Sequence, residues 1–510
     1  MAFSPCRPAV TRRAALRTTA RLLVAAAALT ACGGNASPPA AASTSAAPQT
    51  ATSSAAGSAA ATSPVATAAA STSAAASASA ATTSAIASVA LTSSSAGPAA
   101  TPTPAAKSAS GAVTTIVYGQ TWDPGEGPYI KTWMERFNTK YAGQVKVDQG
   151  DQGDSNKVAA LAASDTLPDI LAVGSTVVQS WIPRGWVKNM QPYIDQDKTF
   201  DIADFTPPSL FAYRQRGSLY GLPFDEGPLL LWYNLDMFDA AGVKYPDESW
   251  TFDDVLNAAV KLTKVQGQDK VFGMASIPGS PFTPSQYTMV APFGGGWVND
   301  VEDQTVVDAP GTIQGMQWWL DLLIKNKAVP TADEAKTIQL WPFFAQRAAM
   351  GITGTWSASQ AAQIGKFRYD VSHYPKGPKG RITGANGSGL TISKNTKAPD
   401  ASWLFISNFL SKEGQAELFA SNGRGSPARA SAWALFEKSP SAMPSAKIIL
   451  PILQSYAKHE QPIGQRAADM QRVVGPLWQN VLKGSMNVSD FASQAKGLVA
   501  PMLADNRLNL

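Results

Sequence analysis

The chain has 510 residues, with 42 Lys and Arg, 37 Asp and Glu, two His and two Cys. Six of the 42 basic residues and none of the acids fall in residues 1–112, which leaves 36 bases against 37 acids beyond; that near-neutral balance excludes a polyanion partner such as nucleic acid. Two histidines (His373, His459) and two thiols leave no recognisable zinc or iron site, so neither a metal nor a cofactor is expected.

Residues 1–31 carry five arginines and no acid, followed by an apolar run, Leu22–Leu29, too short to anchor in a bilayer. A basic region, a short apolar region and small residues before a cleavage site make a secretory signal. Thr11-Arg12-Arg13-Ala14-Ala15-Leu16 looks like the twin-arginine export pattern, although arginine pairs also occur in ordinary leaders. Leu29-Thr30-Ala31-Cys32 resembles the lipobox of bacterial lipoproteins, in which small residues admit the peptidase and the thiol carries the lipid. Cys6 lies in the leader and Cys32 is the expected lipidation site, so no intrachain disulfide is possible after cleavage.

Residues 32–112 are almost wholly Ala, Ser, Thr, Pro and Gly. Such a segment buries too little apolar surface to offset its ordering entropy and is expected to be a disordered tether. As a flexible coil it would have a root-mean-square span of roughly 50 Å.

From Val113 the composition becomes globular, and the 113–510 region exceeds one ordinary core, so two lobes are expected. Thr114–Tyr118 reads as a buried strand. Residues 129–141 follow with Ile130, Trp133, Met134, Phe137 and Tyr141 on one helical face. Ile170–Val173, Leu229–Tyr233 and Val271–Ala275 are further strand-like runs, and Thr251 with Asp254 opens a helix through Leu262 in a capping-box pattern. Trp318, Trp319 and Trp478 lie in helical apolar patterns and read as core, with Trp250 and Trp403 as helix-start packing. Alternation of strands and helices predicts an α/β fold with mostly parallel sheets.

Four segments then carry a resemblance. They are Leu167-Pro168-Asp169-Ile170 with Trp181, Gly185-Trp186 and Pro192-Tyr193-Ile194; Tyr220-Gly221-Leu222-Pro223 leading into Trp232–Phe238 and Ala241-Gly242-Val243; Trp250–Asp254 closing with Lys261-Leu262-Thr263; and Arg347–Gly351 followed by Gly354-Thr355-Trp356. In this order and spacing the sequence resembles the family 1 extracellular solute-binding proteins of ABC importers, the group that holds the maltodextrin-binding proteins. The resemblance implies a two-lobed periplasmic-binding-protein-like fold of the type II kind, each lobe a mostly parallel sheet flanked by helices. It places lobe one at about 113–225 and 374–428, lobe two at about 226–373 and 429–510, and the ligand in the cleft between them.

A sugar presents apolar C–H faces and many hydroxyls, so its site needs aromatic plates beside carboxylates, amides and guanidinium groups. Candidates of that kind are Gln120, Trp122 and Asp123 after the first strand, and Gln286, Tyr287 and Trp297 around the Gly294-Gly295-Gly296 turn. That turn lacks the lysine and Ser/Thr of a phosphate loop. By the resemblance, Ser175 and Thr176 meet ligand after the strand Ile170–Val173, although their hydroxyls could equally cap the next helix. The resemblance likewise implies that Asp225 and Glu226 lie at the first lobe crossover, that Trp356 stacks on sugar, and that Asn386 and Arg424 lie near the cleft. Arg424 could instead pair structurally with Glu417.

The implied activity is capture by hinge closure and delivery to the permease of an ABC importer, by a monomer held to the cell membrane through Cys32, with no chemical step. The rivals are a surface carbohydrate-active enzyme using a carboxylate pair, an adhesion lipoprotein, and the same binding fold carrying a polyamine or other cargo.

Overall fold

The computed structural model describes residues 112–120, 127–264, 270–338, 340–365, 367–421, 426–439, 442–462 and 464–505. The expected signal, Cys32 and all but the last residue of the expected tether lie outside the described residues, as do Trp122, Asp123 and Arg424. The described residues all belong to the unit Ala96–Leu510. Among them no helix is long and apolar enough to cross a membrane.

The strands in chain order are β1 (Thr114–Gln120), β2 (Val145–Asp151), β3 (Ile170–Gly174), β4 (Arg214–Gln215), β5 (Ser218–Leu219), β6 (Leu222–Pro223), β7 (Gly227–Asn234), β8 (Phe272–Met274), β9 (Ala348–Gly354), β10 (Tyr369–Ser372), β11 (Thr383–Asn386), β12 (Ser388–Ile392) and β13 (Ala457–Lys458). One sheet has the order β2-β1-β3-β12-β6 and a second has β13-β11-β7-β9-β8, with β10 also on β7; β4 and β5 form a separate hairpin. Each large sheet carries its own core, so the two lobes expected from chain length are present.

The sequence patterns that placed these elements act as expected. The helix Gly127–Lys140 presents Ile130, Trp133, Met134 and Phe137 to the first core, where they meet Phe405 and Phe409 of the helix Pro399–Phe409. Thr251 and Asp254 exchange both bonds of a capping box at the start of the helix Phe252–Leu262. Strand β7 is buried along its whole length because both faces are covered. Its alternation divides lobe two: Leu229, Leu231 and Tyr233 join one core, Leu230 and Trp232 the core on the opposite face. Trp319 and Trp478 are fully buried in that first core, and Trp318 packs against it half-buried.

Two expectations need correction. The sheets are mixed rather than mostly parallel. In the first, β1 runs parallel to β2 and β3, while β12 runs antiparallel to β3 and β6. In the second, β7 runs antiparallel to β9, β10 and β11. The reason is strand exchange: β7 and β12 enter their sheets from the other lobe, so their direction is set by the crossover and not by a right-handed βαβ connection.

The second crossover is also not at residues 373 and 374. Tyr374 is buried in the lobe two core, and β11 still pairs with β7 through Asn386, whereas Leu390 belongs to the lobe one core. The chain passes between lobes at Gly387, between two short strands whose apolar patterns are too brief to assign to either sheet from sequence. The third passage runs from Ser426 to Trp433: Ala428 packs in lobe one and Trp433 in lobe two.

Candidate functional site

The three passages lie side by side. The first, Phe224–Glu226, links β6 to β7; the second is Gly387; the third begins at Ser426. Phe224 donates its backbone N–H to Ser388 O at 2.8 Å, Ser388 N–H donates to Asp225 Oδ1 at 2.6 Å, and Glu226 N–H donates to Ser426 O at 3.0 Å. Asp225 also forms a β-bridge with Pro427. Gly387 is required by this crowding, since a Cβ there would lie 2.1 Å from the Asp225 carbonyl oxygen. Farther along, Arg429 holds the third passage to lobe one: its guanidinium donates to Asp201 O at 2.8 Å, meets the Asp204 carboxylate at 3.2 Å, and lies over the Phe200 and Phe205 rings.

Against this bundle of crossovers is a cavity of about 20 Å³ lined by Ser175, Tyr213, Asp225, Glu226, Asn386 and Glu460, with Pro208, Ser209 and His459 among the remaining walls. A volume of that size holds about one water-sized group. Ser175 comes from the carboxyl end of β3; its backbone N–H donates to Gly387 O at 2.8 Å, and its hydroxyl accepts from Gly387 N–H at 3.4 Å. The hydroxyl is thus spent on the crossover and makes no helix cap; the residue that caps the helix Ser175–Trp181 is Gly174. Tyr213 donates to Val173 O at 3.1 Å.

The acids are deeply set. Glu226 and Glu460 are each 3 % exposed, and Asp225 is buried beside them. Burial pushes the Glu226 carboxyl up to about 8; a hydrogen bond from Thr206 opposes the shift, and the neighbouring Asp225 charge adds to it. Burial likewise pushes Glu460 up to about 8, and the nearby Asn386 amide offsets only part of it. His459 stacks on Phe211 with ring centroids 3.9 Å apart and is held below its ordinary value, first by burial. Glu226 Oε1 has no hydrogen-bond partner, and the Glu460 carboxyl has only the Asn386 amide beside it.

Ser175, Asp225, Glu226 and Asn386, separated widely in sequence, are therefore brought to one place. Trp356 stands in the turn that follows β9, 38 % exposed, with its ring laid across Gly354, where a Cβ would come within 2.0 Å of it. The turn is tied to the third crossover, because the Ser426 hydroxyl donates to Thr355 Oγ1 at 2.7 Å. Gln120 ends β1 half-buried with its Oε1 buried and unpartnered, and Thr176 is half-buried beside Ser175. Tyr287 is half-buried against the lobe two core, and Gln286 spends its side chain locally, on Gly279 N–H and Ser285.

Trp297 must be withdrawn as a cleft plate. It is 0 % exposed and packs on Phe282 in the lobe two core, because the glycine turn before it folds inward against Thr312. Glu417, the suggested partner of Arg424, forms an ion pair with Arg136. Sequence reasoning missed Tyr213, His459 and Glu460. A histidine and an acid just before Pro462, in a chain with only two histidines, were the available signal.

Among the described residues no group of three or more His, Cys, Asp or Glu side chains is arranged to hold a metal ion.

Comparison with known proteins agrees with this architecture. A protein of Brucella abortus (strain 2308) named as a binding protein is 23% identical over 308 residues, 58% of this chain and 72% of that one. The arabinooligosaccharide-binding protein of Bacillus subtilis is 28% identical over 142 residues, 27% of this chain and 32% of its own length. Among solved structures, an ABC substrate-binding protein of Listeria monocytogenes in complex with cycloalternan superposes with a TM-score of 0.68 at 21% identity, covering 77% of this chain and 99% of that one. The GacH receptor of Streptomyces glaucescens, solved unliganded and with acarbose, gives 0.65 at 20% identity over 78% of this chain and 100% of its own. These likenesses establish the two-lobed fold. The model of the bacterial extracellular solute-binding proteins matches residues 121–416, more than half of the sequence, and the chain belongs to that family.

Proposed function

We propose that this protein captures a saccharide between its lobes and delivers it to the permease of an ABC importer, as a monomer held outside the cytoplasm by a lipid on Cys32. The observation that carries the carbohydrate reading is a half-exposed indole, Trp356, in a turn tied through Thr355 to the crossovers that also hold Asp225, Glu226 and Asn386. An indole face suits the C–H surface of a pyranose, while carboxylates and an amide suit its hydroxyls. Structural neighbours carrying cycloalternan and acarbose support the same reading.

Capture by closure follows from the hydrogen-bonded crossovers. Three adjacent strands of backbone can bend together while each lobe stays rigid, so a solute that touches both lobes stabilises the closed arrangement. Shifting such an equilibrium from 1:99 to 99:1 takes about 5.5 kcal/mol of preferential binding, which a micromolar ligand can supply. No bond is made or broken in this cycle, and the protein is proposed to act as a receptor and not an enzyme. Calorimetric titration of the purified protein with a panel of mono- and oligosaccharides tests the reading. Saturable binding with unaltered ligand recovered afterwards is the expected result; hydrolysis of the ligand, or binding of none of the panel, would overturn it.

A further inference from the structure

The crossover floor holds two carboxyl groups that burial keeps protonated near neutral pH unless a cation reaches them. Two carboxyl groups, Glu226 and Glu460, are 3 % exposed in a cavity whose lining includes no lysine or arginine. The charged and titratable groups around them are Asp225 on the first crossover, Tyr213, whose hydroxyl is committed to Val173 O, and His459. His459 supplies no fixed positive charge, because burial against Phe211 favours its neutral form. Arg429 is occupied by Asp201 and Asp204, and Lys458 is exposed outside the lining. A buried carboxylate without a counterion is costly, and burial accordingly pushes both groups up toward about 8.

Glu226 Oε1 is buried without a partner, and the Glu460 carboxyl has only the Asn386 amide beside it. That amide offsets part of the cost of the Glu460 charge. The cavity holds one water-sized group. A hydroxyl offers one hydrogen to such a place. An alkylammonium group is of similar size, offers three N–H donors and brings a positive charge that holds the carboxyls in their ionised form.

We infer that the preferred solute is a saccharide bearing a protonated amine, with the ammonium received by Glu226 and Glu460. This rests on the carbohydrate reading above and narrows it to a class. An ammonium draws the two carboxyls to their ionised forms and forms charge-assisted hydrogen bonds with them, whereas a hydroxyl meets protonated carboxyls and gains only neutral hydrogen bonds. Trp356 on lobe two then covers a sugar face while the acids fix one substituent.

The test is calorimetric titration of the wild type at pH 7 with matched pairs differing at one position: glucosamine and glucose, galactosamine and galactose, and chitosan trisaccharide against its fully N-acetylated form. Spermidine is included as an amine without a sugar. The expected result is at least ten-fold tighter binding of the aminated member in each pair that binds, falling below three-fold in Glu460→Gln and in Glu226→Gln. Circular dichroism verifies that each variant is folded, and the wild-type comparison stands without them. Equal or tighter binding of the neutral or acetylated members overturns the amine proposal and leaves the carbohydrate reading intact. An amine preference unchanged in both variants overturns the assignment to this cavity. Binding of spermidine with no saccharide of either kind, or no binding at all, removes the carbohydrate reading and this proposal with it.

Discussion

The hydroxyl of Ser426, on the third crossover, donates to Thr355 Oγ1 at 2.7 Å, and Thr355 immediately precedes Trp356. Both hydroxyls are fully buried, so the bond ties the indole's turn to the crossovers about which the lobes are joined. Replacing Thr355 by Val keeps its shape and strands the Ser426 donor. The expected cost is about 1–3 kcal/mol of unfolding free energy, read by denaturant titration, together with weaker ligand binding. A variant as stable as the parent would show that the bond has no structural weight.

Trp356→Ala separates binding from folding. With 38 % of the residue exposed, its removal opens no cavity in either core. Stacking of a ring on a sugar face is worth about 0.5–1.5 kcal/mol beyond area burial. Affinity should therefore drop several-fold to roughly ten-fold in calorimetry, with the melting temperature of the free protein little changed.

Trp478→Ala has the opposite profile. The side chain is 0 % exposed and stacks edge-on against Phe491 in lobe two, far in character from any cleft residue. A loss of about 3–5 kcal/mol of stability is expected from the transfer and cavity terms together. Saccharide affinity measured below the transition should stay near that of the parent.

The pH dependence of stability has a definite sign. Glu226 and Glu460 have folded values raised from about 4.5 to about 8 by burial, so between those limits the folded state binds more protons than the unfolded one. Their contribution is fully present below pH 4.5 and is lost as pH rises toward 8, by up to about 1.4 kcal/mol per pH unit for each group. Denaturation of the ligand-free protein across pH 5–8 should therefore show stability declining with pH from this source. Glu460→Gln should flatten the slope; an unchanged slope would assign the pH dependence elsewhere.

Cys32→Ser should move the protein from the membrane fraction to the soluble extracytoplasmic fraction, read by fractionation and by loss of the lipid's mass from the mature N-terminus. Membrane association that survives the substitution would count against the lipid anchor.

Much of the fold was legible in local patterns, because those patterns are enforced by neighbours along the chain. Ile130, Trp133, Met134 and Phe137 share a helical face whatever lies opposite, and Thr251 with Asp254 satisfies its own helix start. The continuous apolar run Leu229–Tyr233 is a strand covered on both sides. The resemblance implied Asp225 and Glu226 at the first crossover and Asn386 near the cleft, and all three line one cavity beside the hydrogen-bonded crossovers.

Other features depended on which surfaces meet. Trp297 and Trp356 each follow a glycine-bearing turn and are alike in sequence; only the packing of one turn against Thr312 and the other across β7 buries the first and leaves the second half-exposed. Strand direction in both sheets, and the passage at Gly387 instead of residue 374, were set by exchange between lobes, which has no local period. Glu460 becomes part of the floor because β13 pairs with β11 and carries the residues after it to the crossovers. The amino-acid sequence by itself therefore determined the elements, the apolar faces and the family, since each rests on contacts within a turn or two of chain. The acidic floor, its missing counterion and the selectivity proposed from it were decided by tertiary structure, because a charge's environment is made by segments hundreds of residues apart.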